Sequence, residues 1–487
     1  MVDESITTHM STTRWVLAAA VAVAATVCTV GATTQNSDIG HRSSDIGRAI
    51  DAIFSPWNTH DSPGCAVGVF QNGAIAYSHG YGMASLEHDV PIAADSVFYA
   101  GSVSKQFTAM AAALAMQRGK LSYDDSIRKY LPELPPYANR IKISNLIHHT
   151  SGLRDYNTLL SIAGRRDEDA WDNRVVLQMT ARQSALNFEP GTEYLYSNTG
   201  YTLLATIVER ATGTKFATFA DENIFKPLGM TVTHYHVDAR RLVRGRAFGY
   251  AGRAGAWTMD TPINERAGAG GLYTNIPDLQ KWDENFYTGR VGGPDVLKRI
   301  QTRGTLNDGK TLAYAWGLEI GEYRGLPLVE HGGSLGGYRA HILRFPSQHT
   351  SVALLCNASS IAPSGLARRV ADTVIGDDYL QRPAATQGSV AGTRLETSPD
   401  PLSESVLRSY EGSYFSSEVD AVFRISVRGR DLFLDRETDS AAAPLLASSD
   451  GFRTRGLTIR FQTDATHKVL GLTVDAGRVR GIHFSKR

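Results

Sequence analysis

Cysteine is scarce, with three residues in a chain of 487, which excludes a small disulfide-stapled scaffold. Net charge is nearly absent at +1, from 50 Lys and Arg against 49 Asp and Glu. There is no long basic run and no basic–aromatic repeat, so a nucleic-acid partner is not expected. Metal-ligand spacing is missing too. The histidine clusters, His148-His149 and His234-x-His236, lack the His-Glu-x-x-His pattern of a catalytic zinc site and read as surface or loop histidines. Neither a metal nor a cofactor is expected. What the chain does have is ordinary: 42% hydrophobic and 20% charged residues, enough to bury the cores of two or three domains.

One apolar run stands out. Arg14 precedes Trp15 to Val30, mostly Ala and Val, and Val30-Gly31-Ala32 offers small residues suited to cleavage. Residues 1–32 therefore read as a signal peptide, with Met10 the cleaner start because Asp3 and Glu4 are unusual ahead of such a signal. A retained membrane anchor is the competing reading, since the run is just long enough to span. Export to the periplasm or medium is expected. Cys28 would leave with the signal. Cys65 and Cys356 both lie in strand-like runs; they could pair, but two small buried thiols is the preferred reading.

Along the chain, two strand-like runs between Cys65 and Tyr81 flank Gln71-Asn72-Gly73, a hairpin signal. A helical middle follows, with periodic segments at Thr202–Arg210 and Phe216–Phe225, a glycine turn at 268–271 and an amphipathic helix from Pro277 to Phe286. Strand character returns at 326–330, 338–345 and 351–356, then a helix at 365–374. The first and last parts should share one sheet, with the helical middle as a separate lobe and a cleft between them. Residues 381–405, rich in Pro, Ala, Thr, Ser and Gly, read as a linker. From Tyr410 on, about eight short alternating runs predict a small closed or nearly closed antiparallel barrel. The domains are thus a sheet-and-helix domain at 45–380 and a β-barrel at 406–487, an α/β (α+β) architecture followed by an all-β module.

The chemistry starts at Ser102-Val103-Ser104-Lys105. A helix turns once in about 3.6 residues, so Ser102 and Lys105 share a face. The helix N-terminus and a partly buried setting both push Lys105 towards a neutral amine able to take the Ser102 proton. A second Ser-x-x-Lys, Ser126 to Lys129, lies in a charged stretch and reads as solvated. Val103, Phe107, Met110 and Leu114 give the first copy a stripe facing a core.

Tyr196-Ser197-Asn198 supplies a phenol that could serve as base or relay and an amide able to hold a substrate carbonyl or orient Lys105. His331-Gly332-Gly333-Ser334 ends a strand; its glycines let substrate approach, and the Ser334 N–H could join that of Ser102 as an oxyanion cradle. Taken singly, these two motifs read as a loop anchor and a glycine turn. Gly332-Gly333-Ser334-Leu335-Gly336 also matches the Gly-x-Ser-x-Gly elbow, which needs a helix next; here Tyr338–Phe345 reads as a strand, so the match is taken as accidental.

Ser-x-x-Lys, Tyr-x-Asn and His-x-Gly in this order resemble the serine β-lactamase and penicillin-recognising superfamily. The nearest branch is that of class C β-lactamases, DD-carboxypeptidases, D-aminopeptidases and related esterases. Supporting stretches are Gly119-Lys120-Leu121, His148-His149-Thr150-Ser151-Gly152-Leu153, Gly270-Gly271-Leu272-Tyr273 and Leu354-Leu355-Cys356-Asn357, and the likeness runs from about Ala49 to Ile375. It implies a β-lactamase/transpeptidase-like antiparallel sheet flanked by helices. It also implies Ser102 as acylated nucleophile, Lys105 as its amine partner, Tyr196 as base, and Asn198, His331, Gly333 and Ser334 as substrate-binding residues. His331 stands where class C β-lactamases carry Lys, which turns the expectation from antibiotic hydrolysis towards D-residue peptides, amides or small esters. The C-terminal barrel resembles the lipocalin-like domains appended to some of these peptidases. The alternatives are a β-lactamase, or a non-catalytic protein that binds a ligand in the barrel. The expected partner is a small-molecule or peptide substrate; a membrane partner follows only if the N-terminal segment is retained.

Overall fold

Asn72 and Gly73 both sit at positive φ, 49° and 78°, the two-residue turn that suits the twist of paired strands. They join β1 (Cys65–Gln71) to β2 (Ala74–Tyr81) in a computed structural model. The model describes residues 35–165, 171–376, 379 and 402–487. The expected signal segment and the expected linker up to residue 401 lie outside the described residues. Residues 1–45 form one unit, described over 35–45 as helix, and residues 46–487 form another. No helix among the described residues is long and apolar enough to cross a membrane.

Four later strands complete the sheet: β3 (Glu319–Tyr323), β4 (Leu326–Leu335), β5 (Tyr338–Phe345) and β6 (Thr350–Cys356). The order is β3-β4-β5-β6-β1-β2, with every neighbour antiparallel. The first and last parts of this region therefore do meet in one sheet. The edge strand β3 had no clear sequence signal, since Glu-Ile-Gly-Glu-Tyr carries two acids and a glycine. β4 runs beyond Glu330 to Leu335 because β5 keeps pairing with it as far as Leu335 opposite Tyr338. His331 is thus mid-strand rather than at a strand end, and Ser334 leads into a hairpin and not into a helix. Cys65 faces Cys356 across β1 and β6, and their sulfurs are joined as a disulfide spanning 291 residues. The preferred reading of two unpaired thiols is corrected by that register, which sets both side chains at the same point of adjacent strands.

Helices cover both faces. α1 (Ser104–Gln117) is buried on every side from Ser104 to Ala115, not on one stripe. Its run of alanines lets neighbours approach all round. α2 (Asn198–Thr212) and α3 (Ile276–Thr288) share with α1 the larger core, which includes Phe107, Leu204 and Trp282. α4 (Pro363–Ile375) seals the other face, with Leu366 and Val370 in one core with Val67, Leu343 and Leu354.

The C-terminal strands are β7 (Gly412–Ser416), β8 (Ala421–Arg428), β9 (Asp431–Arg436), β10 (Ala443–Ser448), β11 (Gly451–Thr454), β12 (Leu457–Thr463), β13 (Val469–Ala476) and β14 (Val479–Lys486). Each pairs with the next, and β7 with β14 closes the barrel. Alternate residues fill its interior: Phe423, Leu434, Ile459 and Ile482 are all buried completely, and Phe423 stacks on Phe484 at 4.2 Å. That core also takes in Tyr156, Leu159 and Ile162 from the helical lobe. The barrel is docked as well by Arg154, whose guanidinium donates to Glu418 Oε1 (3.0 Å) and to the carbonyls of Arg480 and Gly481 (both 3.1 Å).

Candidate active site

Ser102 stands in a short 3-10 turn, Gly101–Val103, that opens α1. Gly101 holds φ at +54°, and a Cβ there would meet the Ser334 nitrogen at 2.5 Å. A Cβ on Gly333 would lie 2.0 Å from Ala100 O. Both glycines are therefore demanded by the backbone-to-backbone approach of the Ser102 turn to β4. This is a different reason for Gly333 from the expected admission of substrate. The approach brings the Ser102 and Ser334 N–H groups to the same wall of one cleft of about 810 Å³, lined also by Tyr196, Asn198, His331 and Gly333.

Lys105 lies under that cleft, fully buried. Its Nζ is 2.9 Å from Ser102 Oγ, 2.9 Å from Asn198 Oδ1 and 2.8 Å from the Ala269 carbonyl. Burial pushes its pKa well below the usual lysine range; Arg478 adds to that shift and Asp155 opposes it. A neutral amine has two hydrogens and one lone pair. The Ala269 carbonyl and Asn198 Oδ1 can only accept, so they take the two hydrogens, and the lone pair faces the Ser102 hydroxyl. Asn198 is itself oriented. Its Nδ2 donates to Asp155 Oδ2 at 2.9 Å and its backbone N–H to the same oxygen at 2.7 Å, which fixes which end of the amide meets Lys105.

Tyr196 lines the cleft with Ser102, and its ring stands 4.8 Å from Lys105 Nζ. Burial raises its pKa strongly, against the lowering effects of Ser102 and Arg478. Burial thus favours the phenol over the phenolate at Tyr196 and the amine over the ammonium at Lys105. His149 packs on the Tyr196 ring at 4.2 Å and accepts the Ser197 N–H through Nδ1 at 3.2 Å. His148 and His149 are both buried, contrary to the surface reading of the pair; burial moves the first down to about 4.

His331 is 3% exposed. Its Nδ1 donates to Gly332 O at 2.6 Å, so Nε2 accepts from the Tyr314 hydroxyl at 3.0 Å. Burial brings its pKa down to about 3, and any charge on Lys105 would push the same way. The imidazole is neutral with both nitrogens engaged, and it supplies the cleft with no cation.

Three groups at this site escaped the sequence reading. Asp155 follows the quoted His148–Leu153 stretch and caps a helix, accepting the Thr158 N–H at 3.2 Å; an Asp-x-x-Thr capping pattern was the available signal. Tyr314 sits in a segment without periodicity. Arg478 comes from the turn between β13 and β14 and lines the cleft, its guanidinium 4.7 Å from the Tyr196 ring centroid and 3.9 Å from Asp155 Oδ2. Nothing local in Ala-Gly-Arg-Val marks it. Asn187 pins that turn, donating to Arg478 O and accepting from Arg480 N, both at 2.9 Å. The second Ser-x-x-Lys is elsewhere: Lys129 pairs with Asp125 at the surface.

A sheet between helical layers with Ser, Lys and Tyr converging at the start of a buried helix defines the serine β-lactamase and penicillin-recognising class. Residues 49–376 match the family model described as Beta-lactamase, and the chain belongs to that family. It is 30% identical over 334 residues to a D-aminopeptidase of Gluconobacter oxydans (strain 621H), covering 67% of this chain and 62% of that protein. It is 29% identical over 304 residues to penicillin-binding protein 4* of Bacillus subtilis (strain 168), covering 59% and 66%. The chain thus spans less than two thirds of the length of these curated relatives. Among solved structures, the octameric penicillin-binding protein homologue from Pyrococcus abyssi shares the fold, with a TM-score of 0.59 at 21% identity over 92% of this chain and 100% of that one. A D-amino acid amidase from Ochrobactrum anthropi SV3 does so with a TM-score of 0.57 at 22% identity, over 68% and 98%.

Proposed function

We propose that the protein is an exported serine hydrolase that forms an acyl-enzyme on Ser102 and acts on D-residue amides or peptides, with small esters as secondary substrates. The observation that carries this is the fully buried Lys105, whose Nζ lies 2.9 Å from Ser102 Oγ with Asn198 Oδ1 and the Ala269 carbonyl placed to accept its hydrogens. In the reaction the Lys105 amine takes the Ser102 proton and Oγ bonds to the substrate carbonyl carbon. The carbonyl electron pair moves onto oxygen, between the Ser102 and Ser334 N–H groups. Collapse breaks the C–N bond, and the departing amine takes a proton relayed from Lys105 through Tyr196. Water then adds to the acyl carbon and its proton passes along the same relay to Lys105; collapse breaks the C–Oγ bond, Ser102 Oγ takes that proton back and the acid leaves. The names of the D-aminopeptidase relatives support the amide class.

His331 argues against a dedicated β-lactamase, because a neutral imidazole with both nitrogens engaged cannot replace a fixed cation for the substrate carboxylate. The packed barrel interior argues against a carrier whose ligand sits inside the barrel; the barrel acts instead by docking Arg478 at the cleft. The test is mass spectrometry after incubation with a fluorophosphonate, together with turnover of D-alanyl amides. A folded protein without an adduct on Ser102, or a Ser102→Ala variant that keeps its activity, refutes the assignment.

A further inference from the structure

Past His331 the cleft continues over Gly332 onto the sheet face covered by α4. Glu319 lies opposite Glu330 across β3 and β4, and Gly332 lies opposite His341 across β4 and β5. Directly opposed residues, and residues two apart on one strand, share a face, so Glu319, Glu330 and His341 project together where Gly332 leaves the space open. All three line the cleft.

Their bonding is lopsided. Glu330 is matched twice, by Arg368 Nη2 on Oε1 (2.6 Å) and by His341 Nε2 on Oε2 (2.8 Å). Arg368 is further engaged by the Ser364 carbonyl at 3.3 Å, so its charge is spoken for. His341 is 7% exposed. Nε2 is taken by Glu330, and the other ring nitrogen, Nδ1, would lie 3.2 Å from a Cβ built on Gly332. Nδ1 therefore points to the glycine gap, and it has no hydrogen-bond partner among the described residues. The Glu319 carboxylate is exposed to the cleft and likewise has no hydrogen bond or ion pair among the described residues. Burial, then the Glu330 charge, pushes its pKa up, as expected where a cation is missing.

We propose that His341, held by Glu330, and Glu319 form a second subsite of this cleft that binds a substrate ammonium group. The subsite offers an unmatched carboxylate, Glu319, beside the open Nδ1 edge of His341, with two carboxylates set against the one Arg368 guanidinium. An ammonium brings three N–H donors and the compensating charge, whereas a carboxylate would meet repulsion from Glu319 and Glu330. The inference rests on the reading of the cleft as an amide or peptide site and names its specificity-determining residue, Glu319. The ammonium can belong to the acyl part of the substrate or to its leaving amine.

Binding to the full-length Ser102→Ala protein, measured by calorimetry, separates this from catalysis. One arm compares D-alaninamide with N-acetyl-D-alaninamide. The other compares the 2-aminoethylamide of N-acetyl-D-alanine with its N-acetylated form. Adding Glu319→Gln, an exposed and near-isosteric change, should weaken the ammonium-bearing member of one pair tenfold or more and leave its acetylated partner within twofold. The responsive arm tells which side of the scissile bond carries the charge. Ratios unchanged in both arms, or no preference for ammonium before the change, overturn the proposal. Failure of the hydrolase reading shows separately, as wild-type protein without turnover or Ser102 adduct.

Discussion

Changing Glu418 to Gln should loosen the barrel from the catalytic lobe and, through it, disturb Arg478. The pair is dry: side-chain exposures are 3% for Arg154 and 7% for Glu418, at 3.0 Å. Burial alone would raise the Glu418 pKa, but the Ser184 hydrogen bonds and the Arg154 charge bring it below the usual range, so the group is ionised. Removing one partner of a buried pair costs about 3–5 kcal/mol, because the other charge stays desolvated. Arg154 keeps three acceptors, the carbonyls of Arg480 and Gly481 and the Gln183 amide oxygen, so the lower end, about 3 kcal/mol, is expected. Arg154→Leu removes the charge but orphans those acceptors. Adding Glu418→Gln to it should therefore cost at least about 1.5 kcal/mol less than the same change in the wild type, since no buried charge remains to be stranded. Urea unfolding of the four proteins gives these numbers, and D-amide turnover reports on the Arg478 turn. A Glu418→Gln cost under about 1 kcal/mol with no coupling would show the pair to be hydrated, and the docking argument would fall with it.

Other consequences follow from the buried histidines and the glycine contact. His148 falls from 6.5 to about 4. The unfolded chain therefore takes a proton first as pH drops, and roughly 3 kcal/mol of stability should vanish between those values while none is lost above 6.5. His148→Gln should flatten that slope in urea titrations at pH 7 and 4.5; an unchanged slope would contradict a buried neutral imidazole. Gly333→Ala forces the Ser102 turn off β4 and should abolish turnover and cost about 1–3 kcal/mol, and a fully active variant would disprove the contact. His331→Lys places an ammonium where neutral imidazole is already desolvated and strips Tyr314 of its acceptor. It should lower the midpoint of unfolding without producing nitrocefin hydrolysis, and a stable variant that turns over nitrocefin would show that the position accepts a cation.

The periodicities were legible because they report burial. The Asn72-Gly73 hairpin, the strands from 338 to 356 and the alternating C-terminal runs all carry their burial in sequence order. β3 was not, since an edge strand with Glu319 and Glu322 facing solvent or cleft has no apolar alternation to show. The ends of elements also escaped: β4 extends past Glu330 because its partner extends, and no residue of His-Gly-Gly-Ser announces that. Ser102, Lys105, Tyr196, Asn198, His331, Gly333 and Ser334 could be nominated as motifs, and the fold gathers them around one cleft. Their division of labour came only from environment. A lysine and a tyrosine in sequence do not say which is the base. Burial separates the two here, since the same desolvation lowers the pKa of the amine and raises that of the phenol.

That shared desolvation also explains why the site needs a contribution from so far along the chain. Lys105, His149 and His331 crowd one dry pocket; burial disfavours the charge of each, and a charge on Lys105 would penalise both histidines further. Such a pocket can hold neutral bases but not a standing cation. A positive charge facing the Tyr196 ring has to come from the wet side of the cleft, where its own hydration is retained. Arg478 meets that condition: its side chain is 43% exposed and it approaches across the cleft from the β13–β14 turn. The turn is held by Asn187, while Arg154, paired with Glu418, grips the carbonyls of Arg480 and Gly481 just beyond it. The barrel and the catalytic lobe are on this account one site, joined where the interior chemistry leaves no room for charge.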